Sequence, residues 1–255
     1  MRQFLVIGIG AGDPDYLTIQ AVKALNRADV FFVVDKGSEK DDLVALRREI
    51  MDRHITRPDY RVVSIQEPER DRTSPVYHAA VATWRTQRAH RYAAAIRDHL
   101  GEHECGAILV WGDPALYDST LAIIDEVTTS GGVQLAVEVI PGISSVQALV
   151  AKHRVTLNRV GEAIQVTTGR RLRNGLPRDA ENVVVMLDAD CAFRQLTDPD
   201  LDIYWGAYIG TEDEILVSGR LTEVVEEIEQ VRSEARLRKG WIMDTYLIRT
   251  RDRWT

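Results

Sequence analysis

The sequence predicts an α/β protein of two domains, with a mostly parallel sheet in the first and a mixed sheet in the second. Three observations carry this. In the first part of the chain, short apolar runs alternate with stretches whose apolar residues recur at helical spacing, the pattern of repeated βαβ units. Beyond residue 120 the strand-like runs come closer together, as hairpins and mixed pairing require. No low-complexity linker separates the halves and no internal repeat is visible. The expected domains are 1–115 and 116–255.

Element by element, residues 3–9 read as a strand, and Leu17, Ala21, Leu25 and Ala28 then repeat at helical spacing. Residues 30–34 form a buried strand. Residues 41–54 read as a helix, 60–65 as a short strand and 76–100 as a long helix. Residues 105–114 are a strand running into a sharp turn. In the second half, strands are expected at 134–140, 163–168, 183–188, 202–209, 214–218 and 241–248, with helices at 144–152 and 221–238.

Composition narrows the function. With 255 residues, 45% hydrophobic and 28% charged, the chain has the make-up of an ordinary globular protein with ample core. No apolar run approaches the length of a membrane span. Strand-like residues follow Arg2 and Gln3 at once, so no signal peptide is expected. Cys105 and Cys191 are far apart and read as reduced residues of a cytoplasmic protein. The six histidines show no metal-ligand spacing, so no metal is expected. A net charge of −7 argues against nucleic acid as a partner. Yet residues 84–91 hold three arginines and no acid, and 167–178 hold four arginines and no acid. Such stretches are often solvated faces, but arginine forks match carboxylates bidentately, and two of them in an acidic chain point to an anionic ligand.

The stretch VIGIGAGDPDYLT, residues 6–18, raises the question of a dinucleotide site. A strand followed by Gly8, Gly10 and Gly12 is close to the pyrophosphate-binding turn, and Asp35 ends the next strand where a ribose-binding acid would stand. Asp13 occupies the place of the third glycine, where a carboxylate repels a pyrophosphate. A nucleotide-dependent oxidoreductase is therefore disfavoured.

Three more segments complete the pattern: ILVWGDPALYDST (108–120), VEVIPGISSVQAL (137–149) and GAYIGTEDEILVSGRLTEV (206–224). In this order and spacing they resemble the tetrapyrrole methylase family, and the resemblance covers almost the whole chain. It implies two α/β domains with the active site in the cleft between them, S-adenosylmethionine as methyl donor, a tetrapyrrole substrate and a homodimer. The segments VVDKG, ERDRTSPVYHAAVATWR, LNRVGEAIQVTTGRRL, VVMLDADCAF, WGAY and GWIMDTYLIR resemble the branch of the family that removes an acetyl group as it methylates. For that branch the resemblance implies loss of the C1 acetyl group of precorrin-5 as acetic acid and its replacement by methyl. Rival readings are another methylase of the same fold and a non-catalytic cofactor-binding module.

The resemblance also implies site residues. Cofactor contacts carry over to Ala11, where relatives usually have proline, to Trp111, Gly112, Asp113 and Leu116, and to Ser144 and Ser145 at a helix start. They carry over further to Leu187 and Asp188 and to Trp205 and Gly206, each expected to offer strand-edge main chain to adenine, and to Gly219 and Arg220. Capping is the plain alternative for the two serines. The glycines are expected to let a bulky substrate approach the backbone. Methyl transfer from a sulfonium needs positioning rather than a strong acid or base. Deacetylation needs a group that holds and activates water. The candidates are Asp13, Asp15, Asp35, His78 and Tyr117, with Asp13 favoured and Tyr117 beside it. Plainer roles are helix capping for Asp15 and a solvated strand end for Asp35. The substrate carboxylates are expected to meet some of Arg85, Arg88, Arg91, Arg170, Arg171 and Arg173.

Overall fold

The structure is a computed structural model that describes residues 1–35, 41–68, 77–130 and 132–251. It consists of two compact units, Met1–Gly10 with Pro14–Ile143, and Ala11–Asp13 with Ser144–Thr255.

The first unit is built on five parallel strands: β1 (Arg2–Gly8), β2 (Val30–Asp35), β3 (Arg61–Gln66), β4 (Cys105–Val110) and β5 (Leu135–Ile140), in the order β3-β2-β4-β1-β5. The inner strands read as unbroken apolar runs because both faces are covered. Phe4, Val6, Phe32 and Ile108 face one core with α3 (Tyr77–His99) and α4 (Thr120–Ser130). Leu5, Ile7, Phe31 and Leu109 face the other with α1 (Ile19–Leu25) and α2 (Asp41–His54). Alternate residues of each strand thus bury on opposite sides, as the pleat dictates. Thr18 caps α1 by accepting a hydrogen bond from Ala21 N at 3.0 Å. The capping role expected of Asp15 is therefore filled by Thr18, and Asp15 lies in a 3-10 turn, Pro14–Tyr16.

Helix α4 was not among the expected elements. Its buried residues Thr120, Ile123, Ile124 and Val127 stand at i, i+3, i+4 and i+7, so the periodicity was present in the sequence. The expected boundary at 115/116 falls inside this unit, because α4 packs on α3 and β5 pairs with β1 over Arg2–Ile7.

The second unit holds β6 (Ile164–Thr168), β7 (Asn182–Met186), β8 (Leu201–Ala207), β9 (Ile215–Arg220) and β10 (Asp244–Thr250), in the order β6-β7-β10-β8-β9. Only β6 and β7 are parallel; the other neighbours are antiparallel. Helix α7 (Leu221–Lys239) covers one face through Leu221, Ile228 and Ala235, packing with Ile203, Trp205 and Tyr246. Helix α5 (Ser145–His153) lies on the other face, where Leu149 meets Gly206 and His153 meets Tyr204. The four-residue helix α6 (Gly169–Leu172) follows β6.

Candidate active site

In the first unit, the loops after β1, β4 and β5 interlock main chain to main chain. Gly10 and Gly112 form an antiparallel bridge, with Gly112 N donating to Gly10 O at 2.7 Å. A Cβ on Gly8 would lie 2.6 Å from Gly142 N, and one on Gly142 would lie 2.1 Å from Gly112 O. Gly10 and Gly112 also adopt φ of +81° and +68°, a region glycine enters without steric cost. Gly8 and Gly142 are thus needed for one another and for the Gly112 carbonyl, whereas Gly10 makes its close approach to Tyr16 and Gly12 to Ile209. This close packing is itself a reason for glycine, beside the expected approach of a bulky substrate.

Asp113 sits at the centre of this interlock. Its Oδ2 accepts from Gly142 N at 2.9 Å and its Oδ1 from Ala115 N at 2.8 Å. The carboxylate clamps the β4 loop to the β5 loop. Trp111 is half-buried, Leu116 follows in the same loop, and Tyr117 is 46% exposed with φ +53°. All these groups lie beyond the carboxyl ends of parallel strands, where ligands of open α/β sheets bind.

In the second unit, Ala11 is buried, and a Cβ on Gly12 would lie 2.4 Å from Ile209 O. Asp13 follows, half-buried. The turn at 210–214 closes on itself: Gly210 N donates to Glu214 Oε2 at 2.7 Å, and Thr211 Oγ1 donates to Tyr208 O at 2.8 Å. Ser144 is the cap of α5, accepting from Val146 N at 3.2 Å and bonded to Gln147, and it is buried. The capping alternative accounts for it. Ser145 is half-buried, its hydroxyl 3.1 Å from that of Thr245.

Two expectations about strand edges need correction. Strand β8 is internal, between β10 and β9, so the main chains of Trp205 and Gly206 lie within the sheet. The Trp205 side chain is fully buried, its indole donating to Asp244 Oδ2 at 3.0 Å. Strand β7 stops at Met186, which leaves Leu187 just past the ladder, with φ +53° and 66% exposed. The Asp188 carboxylate points inward instead, accepting from Ala192 N at 2.7 Å and Tyr246 Oη at 2.6 Å. Gly219 and Arg220 do lie on an edge strand, β9, and Arg220 pairs with Glu223 at 3.1 Å.

The six arginines differ in their surroundings. Arg88 is buried: its Nη1 donates to Ser119 Oγ at 2.8 Å, its guanidinium sits 4.6 Å from the Trp84 ring centre, and its Nε lies 2.8 Å from Glu67 Oε1. The Nε–H is off that line, so the last is an ion contact rather than a hydrogen bond. This arginine is buried and already has a carboxylate partner in Glu67. Arg85 lies 3.4 Å from Glu126, Arg91 donates to Gln66 O at 2.9 Å, and Arg173 pairs with Asp190. Arg170 and Arg171 are exposed on α6. A shallow hollow of about 300 Å³, lined by Asp190, Cys191, Ala192, Arg194 and Gln195, includes only Arg173 of the expected residues. The side chains of Asp35 and His78 lie outside the described residues. Among the described residues no cluster of His, Cys, Asp and Glu could hold a metal, and no helix is long and apolar enough to cross a membrane.

The family model described as Tetrapyrrole (Corrin/Porphyrin) Methylases matches residues 3–225. The chain belongs to this family. It is 49% identical over 249 residues to the precorrin-6A synthase (deacetylating) of Sinorhizobium sp., covering 98% of this chain and 95% of that one. Among solved structures it resembles a cobalamin synthesis related protein of Corynebacterium diphtheriae, with a TM-score of 0.87 and 39% identity over 99% of this chain and 100% of that one. Uroporphyrin-III C-methyltransferase of Thermus thermophilus in complex with S-adenosylhomocysteine matches at a TM-score of 0.59 and 18% identity over 96% and 91% of the two chains, which shows the fold alone.

The five parallel strands and the mixed second sheet are thus the fold of a tetrapyrrole methylase. For this methylase, sequence reasoning missed the polar groups that hold the loops. Arg232, Asp244 and Tyr246 are buried in the second unit and touch Asp188 or its neighbours. The available signal was an arginine within the apolar stripe of α7.

Proposed function

We propose that the chain is an S-adenosylmethionine-dependent C-methyltransferase that replaces the C1 acetyl group of precorrin-5 by methyl, giving precorrin-6A and acetic acid in cobalamin biosynthesis. The observation that carries this reading is the 49% identity over 98% of the chain to a precorrin-6A synthase, a length that includes every interlocked loop described above.

The methyl donor is read onto the residues that the family resemblance assigns to it. The family resemblance assigns the methionine end to main-chain groups of Trp111, Gly112 and Leu116 in the first unit and to Ala11 and the Ser145 hydroxyl in the second. Leu187 and Gly219 would offer main chain to adenine. Asp113 and Ser144 act by holding the loops and the helix start, and Trp205 and Gly206 drop out. S-adenosylmethionine supplies an electrophilic methyl group on a sulfonium sulfur. Asp13 holds and deprotonates the water that adds to the acetyl carbonyl, with Tyr117 as its companion. The C1–acetyl bond then breaks, acetic acid leaves, and the electron pair passes into the conjugated macrocycle before C1 takes the methyl group. Arg170 and Arg171 bind substrate carboxylates, each such charge-assisted bond contributing about 1.5–3 kcal/mol. In this reading the enzyme is a cytoplasmic homodimer without a metal; its support is the family resemblance and the two unpaired cysteines.

The test is a single-turnover assay with precorrin-5 and methyl-labelled S-adenosylmethionine. One acetate should appear per methyl transferred. Asp13→Asn should slow both together, by about 10²–10⁴-fold, with S-adenosylhomocysteine affinity unchanged. Methyl transfer without acetate release would overturn the reaction. Near-normal acetate release by the variant would take the water-activating role away from Asp13.

A further inference from the structure

Leu187 stands in the left-handed region with φ +53° and is 66% exposed. That conformation costs a non-glycine residue roughly 1–2 kcal/mol and persists only where its surroundings over-determine it. The next residue shows what does so. Tyr246 Oη donates to Asp188 Oδ2 at 2.6 Å, and Ala192 N and Asp190 N donate to the same carboxylate at 2.7 and 3.2 Å. The Asp188 carbonyl is held separately, accepting from Arg232 Nη2 at 2.6 Å. Arg232 is itself fixed by Asp244, whose Oδ2 accepts from Arg232 Nε at 2.8 Å and from Trp205 Nε1 at 3.0 Å. Room for the carboxylate is made at Gly169, where a Cβ would come within 2.3 Å of Asp188 Oδ1.

Side chain and main chain of one residue are thus gripped independently, from β10 and from α7, immediately after a strained residue. Stability alone does not explain the arrangement: a buried ion pair such as Arg232–Asp244 is often no better than apolar packing of the same volume. What it does supply is one backbone geometry. Burial also pushes the Tyr246 phenol far up, so it stays protonated and can donate.

We propose that Tyr246 and Arg232 are positioning residues that preset the main chain at Leu187–Asp188 for the adenosyl end of the methyl donor. The inference rests on the reading that Leu187 faces the adenosyl group. Preorganisation of this kind lowers the cost of binding without touching the reacting atoms. Tyr246→Phe and Arg232→Lys each remove one grip while keeping volume or charge.

Each variant should raise the dissociation constant of S-adenosylhomocysteine by about tenfold. KM for S-adenosylmethionine should rise in step, with kcat and tetrapyrrole KM held within about twofold. Two variants guard against one failing to fold, and a cooperative melt is the entry condition for each. A folded variant with unchanged affinity, or with a lowered kcat at unchanged affinity, overturns the inference. Amide hydrogen exchange of the unaltered protein tests the parent reading separately: S-adenosylhomocysteine should protect amides in 187–192. Absence of that protection overturns both. Protection in the unaltered protein together with normal affinity in both variants overturns only the positioning role.

Discussion

Gly142 shows why it and Gly8 must both be glycine. Its Cβ position is filled by Gly112 O at 2.1 Å and by the Gly8 main chain at 2.9 Å, and neither neighbour is a flexible side chain. A substituted residue there must part the β1, β4 and β5 loops. Gly142→Ala should therefore cost at least the roughly 1–3 kcal/mol of an overpacked core and abolish S-adenosylhomocysteine binding. Gly161 is the control: its φ is +84°, but nothing lies within 4 Å of a Cβ. Gly161→Ala should cost only the backbone strain, about 1–2 kcal/mol, and leave binding intact. Denaturant unfolding and calorimetry on the two variants make the comparison. Equal stability and equal binding would show that the loops can part freely. Asp113 belongs to the same scale: the family resemblance implied a cofactor contact there, and its two hydrogen bonds show it also to be a clamp.

Helix α3 illustrates the element scale. Its acid-free, arginine-rich stretch looked like an anion-binding face, yet only Arg85 and Arg91 are exposed and Arg88 is buried. Arg88 joins three elements at once: Glu67 beyond β3, Ser119 before α4, and Trp84 on its own helix. Trp84 in turn donates to Pro68 O at 3.0 Å. Removing the arginine leaves the Glu67 carboxylate buried without its counter-charge, and breaking such a pair typically costs about 3–5 kcal/mol. Arg88→Ala should thus lower the unfolding midpoint by a large amount and leave KM for the tetrapyrrole unchanged in the folded protein. Glu67→Gln in the Arg88→Ala background should recover part of the loss, and the double-mutant cycle measures the coupling. A raised tetrapyrrole KM with normal stability would restore the substrate-binding reading.

The pH dependence of folding belongs to the whole molecule. His153 on α5 places its Nε2 3.0 Å from Trp205 O and packs edge-on against Tyr204. Burial lowers its pKa below the ordinary 6.5 despite the carbonyl partner. The unfolded chain therefore takes up this proton at a higher pH than the folded one. Between the folded value and 6.5 the unfolded state binds more protons, so stability rises with pH through that window and falls as pH drops below 6.5. His153→Gln keeps a donor for the carbonyl and removes the titration. Denaturant midpoints from pH 7.5 to 5.5 should fall less in the variant than in the unaltered protein. Parallel profiles would show that His153 does not contribute.

How much of this was legible follows from the range of each interaction. The alternation of unbroken apolar runs with helical periods set the parallel sheet of the first unit, because pleat and helix impose their own periods on which residues can be buried. The ordered glycine, GDP, PGISS and GTEDE segments marked the family, since each is a local turn with its own chemistry. Other features had no local signal. That β8 is internal and Trp205 sealed, that Arg88 meets Glu67, and that Asp188 turns inward to Tyr246 depend on partners between 21 and 58 residues away in the chain or on neighbouring strands. Periodicity shows which face of an element is buried, while strand order and the pairing of distant polar groups are settled only when the elements pack. The sequence by itself therefore determined the fold class, the family and the loops that matter. Tertiary structure alone decided which residues in those loops hold the scaffold, because a buried charge or amide must find its partner wherever the packed chain supplies one.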